Sequence, residues 1–360
     1  MKKLYIYMLL LSLFILKIYP ADLSVPLIEL VTRGTLEPGT LVFNTHGNME
    51  ILLKGGDKFS ADLGIDINND NWEDIRNPPQ IEFDYIILTA KTIPLYISFF
   101  TGKIDIFCNG DVFTEKYDTE VISTIFKGFI YFPETTRYDG IHQIAGTGIK
   151  LESKKIGDFF SVFFYLYQDS YLHRGDFSSD IRTLFNWNNL KLEFFAGVSF
   201  PYSKAGLYRF GMLLFARAGN IGEFLTEFGI TRWDPARDAF DSDLFFLLFE
   251  TRLKFGTAAI ILTGFWHPSS YLQKPVLDSD AMDINFNLRI GKPEKSIITG
   301  GMETRLSFKP FKNDQINTVL SPYLNLSTYG VLWNFRIDVD ILPWNRNNIL
   351  EFFIGLKAEF

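Results

Sequence analysis

Between Met282 and Ile290 every second residue is polar: Asp283, Asn285, Asn287 and Arg289. The same beat returns in Glu303, Arg305, Ser307 and Lys309, and again in Asn334, Arg336, Asp338 and Asp340. Earlier in the chain it picks out Glu223, Glu227, Glu250, Arg252 and Lys254. Guanidinium, carboxylate and amide groups repeated on one face do not assemble a nucleophile with its base. They make fixed charges, which either knit to one another or set a field in a water-filled interior. Arg252, Arg289, Arg305 and Arg336, with Asp283, Glu303, Asp338 and Asp340, are therefore the candidate functional residues.

Signatures of covalent or metal chemistry are absent from the sequence. There is no GxSxG, P-loop, HExxH or glycine-rich dinucleotide fingerprint. His46, His142 and His173 lie far apart and show no ligand spacing, so neither a metal nor a cofactor is expected. His267 and Ser269 are two apart, but Pro268 between them places the pair where a strand runs into a loop. Arg174-Gly175-Asp176 matches an adhesion tripeptide, and Gly-Asp is equally a good turn. The lone Cys108 reads as a small buried hydrophobe.

Alternating faces require strands, and the chain is built of them. Phe59, Ala61, Leu63, Ile65 and Ile67 alternate with Ser60, Asp62, Gly64 and Asp66. Comparable runs recur about every twenty residues, at roughly 121–132, 142–153, 158–168, 180–187, 190–200, 207–217 and onward to 349–360. Cys108–Glu120 is hard to parse. No stretch after residue 21 keeps a helical period. The spacing suits strands of ~9–11 residues and predicts 16 to 18 of them.

Of 360 residues 47% are hydrophobic and 37 are Phe, yet the one long apolar run is Leu4–Leu16. Preceded by Lys2 and Lys3 and followed by Ala21, it reads as an export signal over residues 1–21. Without it the chain holds 32 basic and 42 acidic residues, a net charge of −10, which speaks against nucleic acid.

The last strand is apolar at Leu350, Phe352, Ile354, Leu356, Ala358 and Phe360, and mostly polar between. An amphipathic final strand ending in Phe resembles the assembly signal of bacterial outer-membrane β-barrel proteins. The resemblance implies an all-β protein, a transmembrane antiparallel β-barrel of 16–18 strands, read by the barrel-assembly machinery through Phe352, Ile354, Leu356 and Phe360. Connection lengths agree with such a barrel. Taking Phe360 as periplasmic, the turns at Gly256-Thr257 and Thr328–Gly330 are short, whereas Pro268–Ala281 and Trp233–Asp241, on the opposite side, are long. Residues 22–40 are then a periplasmic lead or plug, with a first strand the other reading, and 41–360 the barrel. The expected function is passive or gated passage of small solutes through a charged lumen in the outer membrane, without enzymatic activity. The alternatives are a fatty-acid-type hydrophobic transporter with a plugged lumen, and a surface-exposed adhesin or structural barrel.

If the terminal strand is an assembly signal, deleting Phe360 lowers the fraction of heat-modifiable, folded barrel on gels. The barrels that do form conduct normally. Normal folding yield with altered conductance would reverse that assignment.

Overall fold

The computed structural model describes residues 22–37, 40–69, 80–125, 140–172, 175–200, 206–266, 270–271, 274–275, 282–292, 296–308, 316–342 and 350–359. Eighteen strands make one sheet. They are β1 (Asp22–Glu37), β2 (Thr40–Gly55), β3 (Phe59–Asn69), β4 (Gln80–Lys91), β5 (Leu95–Phe107), β6 (His142–Ser153), β7 (Phe160–Asp169), β8 (Phe177–Asn186) and β9 (Leu190–Phe200), then β10 (Leu207–Ala218), β11 (Gly222–Trp233), β12 (Phe245–Phe255) and β13 (Ala258–Trp266). After a two-residue hairpin, β14 (Ser270–Tyr271) with β15 (Lys274–Pro275), come β16 (Met282–Ile290), β17 (Ile298–Phe308), β18 (Asn317–Thr328), β19 (Val331–Leu342) and β20 (Leu350–Glu359).

Each barrel strand pairs antiparallel with the next, and β1 also pairs with β20, from Leu27↔Glu359 to Thr35↔Glu351. This seam closes the sheet, as hydrocarbon requires, because lipid offers no partners to the free N–H and C=O groups of an edge. At the seam Gly34 lies opposite Phe352 on one side and Phe43 on the other. A Cβ on Gly34 would fall 2.1 Å from Phe352 Cζ, so the ring rests on the glycine backbone. It meets Phe43 edge-on at 5.8 Å. The bare backbone at residue 34 is what lets the last strand seat its aromatic against the first.

Every barrel strand presents a large apolar side chain outward. Examples are Leu30, Phe59, Leu88, Phe99, Ile149, Leu166, Ile181, Phe194, Phe210, Leu262, Phe286, Leu324, Ile337 and Ile354, all exposed. A continuous apolar belt is untenable in water and natural in lipid. Aromatic clusters border it at both rims. Phe159, Phe185 and Trp187 stack at one, with Phe185 and Trp187 centroids 5.6 Å apart. Trp233 packs between Tyr208 and Phe240 at the other. Such rings suit the two membrane–water interfaces.

Connections sort by rim. On the rim where β1 starts and β20 stops they are short: 56–58, 92–94, 154–159, 187–189, 219–221, 256–257, 291–297 and 329–330. On the other rim most are longer, including 70–79, 108–141, 234–244 and 267–281, with 38–39 the exception.

Two expectations change. Residues 22–37 are neither lead nor plug but the first wall strand, because their register with β20 is what closes the barrel. The apolar run expected as a strand at 121–132 is no part of the wall where it is described: Val121–Ile125 is irregular and lies in the lumen. The remainder of that run lies outside the described residues, as do Phe360, His173 and His267.

Filling the seam glycine tests the closure. Gly34→Leu displaces the Phe352 ring and costs about 1–3 kcal/mol, the usual range for overpacking. The expected outcome is a lower temperature for loss of heat modifiability, with Gly56→Asn, in an open turn, unaffected.

Candidate functional site

The lumen is defined by which residues of the wall point inward and by what meets them. After β5 the chain turns into the barrel. Cys108, in a left-handed conformation, donates its backbone N–H to Glu193 Oε1 at 2.7 Å. Helix α1 (Asp111–Tyr117) and an extended piece to Ile125 follow. Val112, Phe113 and Ile122 of this segment pack on the inward faces of Phe107, Phe163, Tyr165, Leu184, Phe195, Leu213, Phe215, Leu225, Phe246, Leu248 and Phe265. The inner face of β7–β13 is thus closely packed, its apolar side chains interleaved with buried polar ones such as Glu193, Arg209 and Glu250. Burial, with Glu193 and Glu227 alongside, pushes the Cys108 thiol well above its ordinary range, so the cysteine is inert.

Buried charges fasten the inserted segment to the wall. Arg182 pairs with Glu193 at 2.8 Å, both essentially solvent-free, and its guanidinium lies over the Phe107 and Phe163 rings. Lys116 bonds Glu152, and also the Ser153 carbonyl at 2.8 Å. Tyr117 and Ser161 share a hydroxyl bond of 2.8 Å. Glu120 meets Arg217, and Thr124 donates to Glu250. Arg252 donates to the carbonyls of Ile122 at 3.1 Å and Ser123 at 2.6 Å while pairing with Glu250 at 2.6 Å. The wall partners Glu152, Ser161, Arg217 and Arg252 all sit toward the short-turn rim, so the segment crosses the lumen in that half.

The eight candidate residues fall into separate groups. Arg252 is an anchor for the inserted segment. Arg336 pairs with Asp338 at 2.6 Å and Glu303 at 3.3 Å and donates to Ser321 Oγ at 3.0 Å. These three sit together across β17 and β19. Asp283 and Arg305 are buried on the inner face, with Arg305 opposite Asn285. Arg289 faces Gly301 and Ala259 and is half-buried. Asp340 is half-buried, opposite Val319. Of the last strand, Phe352 and Leu356 are half-buried and Ile354 is exposed to lipid. Asp176 of the adhesion-like tripeptide is buried, which removes it from any receptor, and Arg174 lies outside the described residues.

The wetter part of the wall is β1–β5. Its inward Glu50, Asp62, Asp66 and Asp84 are half-buried rather than packed over. Asp66 accepts from Asn48 at 3.0 Å, and Asp84 pairs with Lys103 at 2.9 Å. The alternation that exposes Asp62 and Asp66 is present in the sequence, but nothing local says that this stretch of wall stays wet. Arg182, Glu193, Asp180 and Arg209 were also legible as polar residues on alternate positions. Their burial depends on contacts made only in the fold: Glu193 accepts from the inserted segment at Cys108, and Asp180 and Arg209 pair across strands under Tyr167. Among the described residues, no three His, Cys, Asp or Glu side chains gather as a metal site would require.

No family model matches the sequence, and no curated protein sequence matches it. Solved structures do. Wzi of Escherichia coli, described as a carbohydrate-binding β-barrel of the outer membrane involved in group 1 capsule assembly, aligns over 92% of this chain and 84% of its own, with TM-score 0.55 and 10% identity. OccAB2 of Acinetobacter baumannii aligns over 95% and 98%, with TM-score 0.55 and 11% identity. OccD3 of Pseudomonas aeruginosa aligns over 94% and 91%, with TM-score 0.54 and 10% identity. At such identity the likeness is one of fold: this chain shares the closed antiparallel architecture of the porin-like β-barrels.

Proposed function

We propose that the protein is a non-enzymatic channel of the bacterial outer membrane. Small hydrophilic solutes pass through the part of its lumen left beside β1–β5. The observation that carries this reading is the asymmetry of the interior. One side is sealed by the inserted segment and its apolar cluster. The opposite side leaves carboxylates at Glu50, Asp62, Asp66 and Asp84 only half-buried, whereas those of the packed side, such as Glu193 and Glu250, are solvent-free. An acidic passage concentrates cations, and the Arg336 group on β17 and β19, one guanidinium held by two carboxylates, does not offset it. The inserted segment sets the width, held in place by ion pairs with β6 and β10 and by hydrogen bonds with β12. The lipid-facing belt and the assembly signal imply outer-membrane lipid and the barrel-assembly machinery as partners.

Single-channel recording of refolded residues 22–360 in planar bilayers tests the reading, with stable, cation-preferring steps expected. A unit charge at ~4 Å in water changes an ion's energy by about 1 kcal/mol. Asp62→Asn with Asp66→Asn therefore shifts the cation-to-anion permeability ratio toward anions about fivefold per carboxylate, seen as a moved reversal potential. Arg289→Glu with Arg336→Glu shifts it the other way. No steps from a heat-modifiable sample would reject the channel.

Releasing the constriction is a separate test. Arg252→Met removes two bonds to the inserted segment and leaves Glu250 without its guanidinium, a loss of roughly 3–5 kcal/mol for a buried pair. Larger or flickering conductance is expected at unchanged folding yield. An identical conductance would mean that the segment does not limit the passage.

A further inference from the structure

The barrel wall is not continuous between β4 and β5. Their ladder runs only from Lys91↔Tyr96 to Tyr85↔Gly102. Beyond that pair, toward the long-loop rim, residues 80–83 keep partners on β3 alone, and Lys103, Ile106 and Phe107 on β6 alone. The parting begins at two irregularities. Asp84 is an extra residue, opposed to no partner where the β3–β4 register shifts between Gly64 and Ile65. Gly102 has φ +101°, and a Cβ there would lie 2.0 Å from the Asp84 carbonyl oxygen. The two backbones touch at this point and then diverge, enclosing a cavity of about 390 Å³.

The position and lining of the cavity are informative. Asp66, Glu82, Phe83, Asp84, Thr101, Lys103 and Thr147 are among its lining residues; Asp66 and Glu82, cross-strand partners, share the lumen-facing side of the wall, whereas Thr101 and Thr147 share the outward side of Phe99 and Ile149. Thr101 and Thr147 share a hydroxyl bond of 3.0 Å and sit just above the lipid-facing Phe99 and Ile149. The gap therefore lies where the apolar belt gives way to the outer headgroup layer. Two unpaired strand edges are not tolerated in hydrocarbon, so an opening at this level is wet or occupied. Bulged, carboxylate-bearing edges oppose strand addition by another chain. Lys103 is committed to Asp84 at 2.9 Å. Glu82 has no side-chain partner among the described residues, and the lining holds more carboxylates than ammonium groups. Beside it, Ile81 and Phe83 are over 70% exposed, at 72% and 73%.

We propose that the parted ends of β4 and β5 form a side portal in the barrel wall, binding amphiphiles with an ammonium head and an alkyl chain. The head sits among Glu82, Asp84 and Asp66, and the chain runs past Phe83 into the outer leaflet. The site shares Asp66 and Asp84 with the acidic side of the lumen, but it is read out by labelling at residue 101 and not by conductance, so it holds whether or not the lumen conducts.

Thiol protection in lipid nanodiscs tests it. Thr101→Cys, in a Cys108→Ser background, is labelled by a water-soluble cationic thiosulfonate. At ten times its Kd, dodecylammonium slows labelling about tenfold by mass action. Butylammonium and dodecanoate at the same concentration leave the rate nearly unchanged, and Glu82→Gln with Asp84→Asn abolishes the protection. If that pair does not yield heat-modifiable barrel, Glu82→Gln alone serves, since Glu82 holds no structural contact. Absence of labelling in folded protein would overturn the portal. Equal protection by dodecanoate would reduce the effect to lipid partition. Equal protection by butylammonium would make it a lumen cation site with no path to lipid.

Discussion

The backbone ladder is the constraint on which everything else rests. In lipid no water is present to satisfy an open strand edge, so β1 must find β20. That single pairing converts an alternating sequence into a closed wall and fixes one face outward for all eighteen strands. Closure also explains small details. Phe352 needs the bare backbone of Gly34 to seat against the first strand, and residues 22–37 are committed to the wall rather than to the interior.

A closed barrel of this size leaves more lumen than wall side chains can fill. The chain resolves the excess on one side only. The segment after β5 enters, buries Phe113 and Ile122 against inward aromatics, and brings polar backbone and charged side chains into a dry space. Those groups are tolerated because each meets a partner: Cys108 N–H on Glu193, the Ile122 and Ser123 carbonyls on Arg252, Lys116 on Glu152. The charges on β8, β9 and β12 thus serve position more than permeation. The half-buried carboxylates of β2–β4 are the ones left facing water.

The same ladder rule makes the β4–β5 parting meaningful. The β4–β5 ladder stops at Tyr85↔Gly102, and the cavity beside its parted ends is lined by Asp66, Glu82 and Asp84 next to the exposed Ile81 and Phe83. In a soluble sheet such a break would be filled by water at little consequence. In a membrane wall it defines where lumen and leaflet can meet.

Much of this was legible in sequence because it is local and periodic. Phe59–Ile67, Met282–Ile290 and Leu350–Phe360 declare strands with one apolar and one polar face, and the sorting of short and long connections gives the up-and-down order. Period two says which residues share a face, and lipid says that Arg289, Arg305 and Arg336 cannot be on the outer one. It does not say what lies across the lumen. The middle of Leu207–Ala218, from Phe210 to Ala216, is apolar on both faces, and Leu213 and Phe215 on its inner face pack in the cluster that a segment far away in sequence completes. Whether Arg252 lines a passage or anchors a plug, whether Asp62 stays wet while Asp283 is buried, and where the wall parts are all decided by the barrel's closure and by what enters it. Those contacts join residues a hundred or more positions apart, and no window of the sequence contains both partners.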